Sequence, residues 1–136
     1  KISGTARSFE PEVQETIIRR MKQVAEGTAL ANDMEAEVQY TKLYPAMFNT
    51  PELVEKASGY AKELLGEEHV KQWHRTCGGE DFSFMLLARP GCLFRLGMKD
   101  EKHSASVHHP MFDFNDKAIS VGAATLLTIA LNRAAS

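Results

Sequence analysis

Residues 2–9, Ile-Ser-Gly-Thr-Ala-Arg-Ser-Phe, and residues 35–43, Glu-Ala-Glu-Val-Gln-Tyr-Thr-Lys-Leu, bracket a helical stretch and decide how the chain reads. In the first, Ile2, Gly4, Ala6 and Ser8 share one side of an extended backbone and are small or apolar enough to pack. Ser3, Thr5, Arg7 and Phe9 share the other side, so Arg7 points away from the packing face. In the second, Ala36, Val38 and Tyr40 alternate with polar neighbours, the pattern of a half-buried strand. Between them the spacing predicts a helix over 11–31, with Pro11 in the first turn and Glu10 and Glu12 where the helix dipole favours anions. Val13, Ile17, Met21, Val24 and Ala25 form its apolar stripe, and Arg19, Arg20 and Lys22 lie off it on a solvated face. Two strands and one helix over 1–43 make a thin layer with an unfinished core. Its missing strands are expected from sequence beyond this chain, from a neighbouring chain, or not at all.

Working outward, Pro45 marks a break. Thr50-Pro51 then opens a second helix as N-cap and first-turn residue, with Leu53, Val54, Ala57, Ala61, Leu64 and Leu65 on its apolar face and Gly66 as its C-terminal cap. Residues 69–75 read as a strand, Cys77-Gly78-Gly79 as a turn, Glu80 to Leu87 as a short helix, and Cys92 to Leu96 as a buried strand. Residues 97–115 read as a loop. A closing helix over 116–134, capped by Asn115 or Asp116, is apolar or small on nearly every side and reads as buried.

Composition narrows the class. The 136 residues are 43% hydrophobic and 25% charged, which suits a globular protein and excludes disordered and collagen-like chains. Sixteen Lys and Arg against 18 Asp and Glu give a net charge of −2, so nothing favours nucleic acid as a partner. No apolar run reaches the roughly 18 residues of a membrane span, and the opening Lys-Ile-Ser-Gly lacks the apolar core of a signal peptide. Two cysteines, Cys77 and Cys92, make no disulfide scaffold, and a reduced, cytoplasmic setting is expected. A chain that opens without Met, inside a strand pattern, suits a fragment of something longer.

Three features could carry chemistry. His103, His108 and His109 fall within seven positions of one loop, and imidazole is a common ligand for Zn, Mn and similar ions. Adjacent residues in extended backbone face opposite ways, so His108 and His109 do not both reach one ion. The spacings of a structural zinc site are absent, and a surface or backbone-bonded histidine is the plain alternative. Cys77-Gly78-Gly79-Glu80 leaves backbone N–H groups free to approach an anion, or is simply a tight turn with an acidic helix start. Cys77 beside a helix start could pair with His74 or His108 as a nucleophile, but no local signature accompanies it. Arg7, alone among small residues, suits bidentate recognition of a carboxylate or a surface ion pair.

Taken in order, Gly4-Thr-Ala-Arg-Ser-Phe with Pro11-Glu12, Asn49-Thr-Pro-Glu-Leu, Gly78-Gly-Glu-Asp-Phe-Ser, Phe94-Arg-Leu-Gly and His108-His-Pro-Met-Phe-Asp-Phe-Asn-Asp-Lys-Ala resemble one family. They are similar to the C-terminal part of the binuclear-metal amidohydrolases that include aminoacylases, hippurate hydrolases and indole-acetyl-amino-acid hydrolases. Each motif alone is weak; five in order across nearly the whole chain are specific. The resemblance implies an α/β catalytic-domain fragment joined to half of an α+β ferredoxin-like lid. Residues 1–43 would be the second, strand–helix–strand half of that lid and dimerisation domain, and 44–136 the last part of the metal-dependent catalytic domain.

Residue by residue, the resemblance makes His108 the C-terminal metal ligand and leaves His109 off the ion. It makes Arg7 a substrate-carboxylate clamp and places Gly78, Gly79 and Glu80 in a substrate-lining loop. Asp113, Asn115 and Asp116 are expected to cap the last helix. The implied reaction is metal-assisted hydrolysis of the amide bond in N-acyl amino acids, hippurate-like compounds or small peptides. Two divalent ions, Zn or Mn foremost, would serve the full-length parent, and the lid would pair two copies as a homodimer. The family's remaining ligands and its general-base Glu belong to its N-terminal part, which has no counterpart here. No catalytic residue is therefore expected in these 136 residues, which alone should be inactive and bind divalent ions weakly or not at all. The competing reading is a non-catalytic dimerisation or interaction module built on the same half-fold, through an exposed sheet edge.

Overall fold

The computed structural model describes residues 1–135. Its elements are α1 (Pro11–Leu30), α2 (Pro51–Leu65), a single 3-10 turn (Glu67–His69), α3 (Phe82–Ala88) and α4 (Lys117–Ala134). The predicted helices are present, with ends within two residues of those expected. The four predicted strands, 2–9, 35–43, 69–75 and 92–96, are not formed: no strand occurs among the described residues. A strand exists only through a neighbour about 4.8 Å away that accepts and donates its ladder bonds, and the described residues supply none.

Contacts divide the chain into two compact units, Lys1–Phe48 with His74–Pro90, and Asn49–Trp73 with Gly91–Ser136. In the first unit, α1 begins at Pro11 with Glu12 in its first turn, as a helix start favours. It ends in a double closure: Asp33 takes φ 56° and its N–H donates to the Leu30 carbonyl at 3.2 Å. The Met34 N–H reaches back to the Ala29 carbonyl at 2.9 Å. This is the Schellman arrangement with aspartate in the left-handed position usually given to glycine or asparagine. Lys42 pairs with Glu15 and so brings the second predicted strand segment back to α1. The Arg75 guanidinium lies 5.9 Å from the Phe9 ring centroid, and Tyr44 meets Phe84 edge-on at 6.1 Å.

In the second unit α4 lies against α2. Thr50 holds the N-cap position of α2, but its hydroxyl makes no capping bond and instead accepts the Gly91 N–H at 3.1 Å. The Thr50 N–H donates to the Gly91 carbonyl at 2.9 Å. Gly66 ends α2 at φ 94° and ψ 147°, backbone that a side chain strongly disfavours. On α4, Ala118 and Thr125 are buried and the Thr125 hydroxyl donates to the Val121 carbonyl at 2.8 Å. A Cβ on Gly122 would stand 3.0 Å from Leu96 Cδ2, so glycine lets that leucine close on the helix.

The expectation that α4 is buried is corrected: Ile119, Leu126, Leu127 and Leu131 are 59–67% exposed. One side of α4 has a neighbour and the other has none among the described residues. The same holds more widely, since Ala29 and Ala118 are the only buried apolar side chains among the described residues. The accessible surface is 11,522 Å². Two separate compact bodies of half this mass would together expose about 8,500 Å², so the described residues leave much apolar surface uncovered.

Candidate functional site

Arg7 lies in the first unit, exposed, with Nη1 donating to the Thr5 hydroxyl at 2.6 Å. Positions 5 and 7 thus share a side, as the alternation predicted, and the guanidinium keeps further donors for an incoming group. Gly78 and Gly79 belong to the same unit. Neither has a positive φ. Gly79 is small because a Cβ there would lie 3.0 Å from Tyr44 Cδ2. A close ring, rather than backbone freedom, accounts for glycine at this position.

Glu80 is half-buried and occupied at the start of α3. Its Oε1 accepts the Phe82 N–H at 3.2 Å. Its carbonyl accepts the Ser83 N–H at 3.3 Å and the Ser83 hydroxyl at 2.6 Å. Ser83 is 1% exposed, which fixes the turn beneath it. Glu80 therefore acts here as a helix-start acceptor, the acidic role that the turn reading of Gly78-Gly79-Glu80 anticipated.

His108 lies in the second unit, and Arg7, Gly78, Gly79 and Glu80 lie in the first. It sits in a loop built of consecutive turns. The His109 N–H donates to the Ser106 carbonyl at 3.0 Å, and the Phe112 N–H to the His109 carbonyl at 2.9 Å. His109 Nδ1 accepts the Met111 N–H at 3.1 Å, which commits that ring to the turn. His108 is exposed with φ 72°, in the left-handed region that a non-glycine residue enters at some energetic expense. Its ring makes no hydrogen bond among the described residues. Of the two neighbouring histidines, His109 is bonded into the turn and His108 has no hydrogen bond from its ring among the described residues.

Asp100, His103 and Asn115 frame this loop; the sequence offers His103 as a candidate ligand and Asn115 as a helix cap, and marks no role for Asp100. Asp100 Oδ1 accepts the Lys102 N–H at 2.9 Å, the His103 N–H at 2.8 Å and His103 Nδ1 at 2.7 Å. These bonds, those from His103 foremost, hold the Asp100 carboxyl below the usual aspartate range. An Asp followed three residues later by His, ahead of a loop, is the signal that could have pointed to it. Asn115 caps α4 through Oδ1, which accepts the Lys117 N–H at 3.2 Å, while Asp116 at the N-cap position makes no side-chain cap. Asp113 accepts the N–H of Phe114, outside the helix.

No group of three or more His, Cys, Asp or Glu side chains able to hold a metal ion occurs among the described residues. A two-ion centre needs several ligands and a bridging group; His108 alone does not fit it, and no chemical step through such ions follows from these residues. Cys77 is exposed and Cys92 half-buried, both as free thiols. Burial raises the Cys92 thiol above its ordinary value, the opposite of an activated nucleophile. No helix among the described residues is long and apolar enough to cross a membrane.

The chain is similar to several curated proteins. It is 32% identical to a Bacillus subtilis protein provisionally named amidohydrolase YhaA, over 94% of this chain and 33% of that protein. It is 33% identical to N-acetyldiaminopimelate deacetylase of Bacillus pumilus, over 88% of this chain and 31% of that enzyme. It is 29% identical to an uncharacterised hydrolase, y4tI, of Sinorhizobium fredii, over 87% of this chain and 29% of that protein. The chain thus spans about a third of the length of these relatives. The sequence profile of peptidase family M20/M25/M40 matches residues 4–132, from ahead of the Arg7 segment to near the end of α4, and so takes in all five ordered motifs. The chain belongs to peptidase family M20/M25/M40.

Proposed function

We propose that this chain is the C-terminal part of a metal-dependent amidohydrolase that cleaves the amide bond of N-acyl amino acids. The observation that carries the reading is the family match over 4–132 with His108 held available in a built turn inside it. Residues 1–43 are the second half of an α+β lid, through which two copies pair as a homodimer, and 44–136 complete an α/β catalytic domain. His108 supplies one ligand to a pair of divalent ions, Zn or Mn, whose other ligands and general base lie outside these residues. Held by His108 together with ligands outside these residues, such ions would supply a water of lowered pKa as nucleophile. Arg7 binds the substrate carboxylate, and the Gly78–Glu80 loop lines the same cleft. The 136 residues alone are inactive, and the whole enzyme works in the cytoplasm on small molecules.

Relatives named as N-acetyldiaminopimelate deacetylases make that compound the first member of the substrate panel. The test is amide hydrolysis by the longer protein on N-acyl amino acids, with and without chelator, beside metal analysis of His108→Ala. Chelator-sensitive turnover and loss of bound metal in the variant are expected. Turnover indifferent to chelator, or full metal content in His108→Ala, overturns the reading and favours the interaction module.

A further inference from the structure

We infer that Asp100 and Asn115 are positioning residues that clasp the two ends of the loop presenting His108. The inference rests on the reading of His108 as a ligand. A carboxamide offers two N–H donors and one carbonyl. Both Asn115 donors are used across the loop, at 3.1 Å to the Met98 carbonyl and 3.1 Å to Asp100 Oδ2. Its Oδ1 meanwhile accepts the Lys117 N–H at the start of α4. Asp100 spends its other oxygen on the Lys102 and His103 amides and the His103 ring. The near side of the loop is thereby shaped around one carboxylate, and the far side is tied both to that carboxylate and to the first turn of α4.

Closing a loop of this length opposes chain entropy, and hydrogen bonds to an ionised acceptor are the stronger kind that can hold it. Inside the clasp, the Ser106–His109 and His109–Phe112 turns set the backbone on either side of His108. A non-glycine residue at φ 72° persists only where its surroundings over-determine it. The inner turns supply one set of constraints and the clasp supplies the other. The bonds Asp100 accepts lower its carboxyl below the ordinary aspartate range, so the clasp keeps an ionised acceptor to lower pH than a free aspartate would.

Amide hydrogen exchange on the longer protein, without added metal or substrate, tests this. The variants are Asn115→Ala, Asp100→Asn and the exchanged pair Asp100→Asn with Asn115→Asp. Losing one such bond should speed exchange about fivefold, at the Lys102 and His103 amides and, by coupling, at His109 and Phe112. The amides of α2 should hold their protection. The exchanged pair keeps one amide facing one carboxylate but sets a carboxylate oxygen at position 115 against the Met98 carbonyl, so it should recover only part of the protection at His109 and Phe112, and more than either single variant. If only Lys102 and His103 respond, the clasp does not position His108 and the inference falls. It falls equally if exchange rises uniformly through α2 in both single variants, because the pair is then a general stabiliser. A negative result leaves the ligand role of His108 to its own metal analysis, and failure there leaves the clasp standing.

Discussion

Asn49 grips the backbone of Leu93 with both ends of its side-chain amide: Nδ2 donates to the Leu93 carbonyl and Oδ1 accepts the Leu93 N–H, each at 2.9 Å. A side chain thus supplies the bond pair that a neighbouring strand would give, and it holds the 92–96 segment that sequence reads as a strand. Asn49→Ala leaves a part-buried donor and acceptor unmatched and should lower stability by about 1–3 kcal/mol. Urea unfolding should show a lower midpoint with an unchanged slope. Asn49→Asp, which loses the donor and sets a carboxylate against a carbonyl, should be no better.

Gly66→Ala puts a side chain at φ 94° and ψ 147°. The contact a Cβ would make is with the flexible Glu68 carboxylate, at 2.8 Å, and can be relieved by side-chain rotation. The backbone conformation cannot, so a loss of about 1–3 kcal/mol is expected. Relieving the contact with Gly66→Ala in a Glu68→Ala background should recover little of it, as read from thermal unfolding.

The carboxyl of Asp100 is held below its ordinary range mainly by the His103 backbone and side-chain bonds. Its folded pKa is lower than its unfolded one, so its contribution is fully present above the unfolded value. That contribution is lost as pH falls through the lowered folded value. A carboxyl-carbon titration of Asp100 should show a midpoint under the aspartate norm. Protection of the Lys102 and His103 amides should fall in the same window, and Asp100→Asn should abolish that pH dependence.

For Arg7, a hydrogen-bonded guanidinium–carboxylate contact is worth about 1.5–3 kcal/mol. In the longer protein Arg7→Ala should lower kcat/KM for N-acyl amino acids by about 10- to 150-fold. Matched amides without the carboxylate should change far less. Equal losses on both would remove the clamp assignment.

How far the sequence could be read depended on the range of the physics involved. Helices close their own hydrogen bonds, so Pro11, Pro51 and Gly66 mark their ends from local chemistry alone. The alternation of Ala36, Val38 and Tyr40 is just as regular, but a strand needs a second segment to pair with, and period-two patterning says nothing of where that segment is. The buried reading of α4 failed on one side for the same reason. At the site, the resemblance of the surrounding motifs is what singles out His108 and Arg7 in the sequence. Asp100 is not singled out, because its role depends on Asn115 fifteen positions away, a separation that only folding closes.

The open side of α4 has a consequence for the life of this polypeptide. Ile119, Leu126, Leu127 and Leu131 together offer the kind of greasy ridge that holdase chaperones and quality-control proteases bind. Left uncovered, it would mark the chain for capture or clumping, with bright binding of hydrophobic dyes and a steep dependence of solubility on concentration.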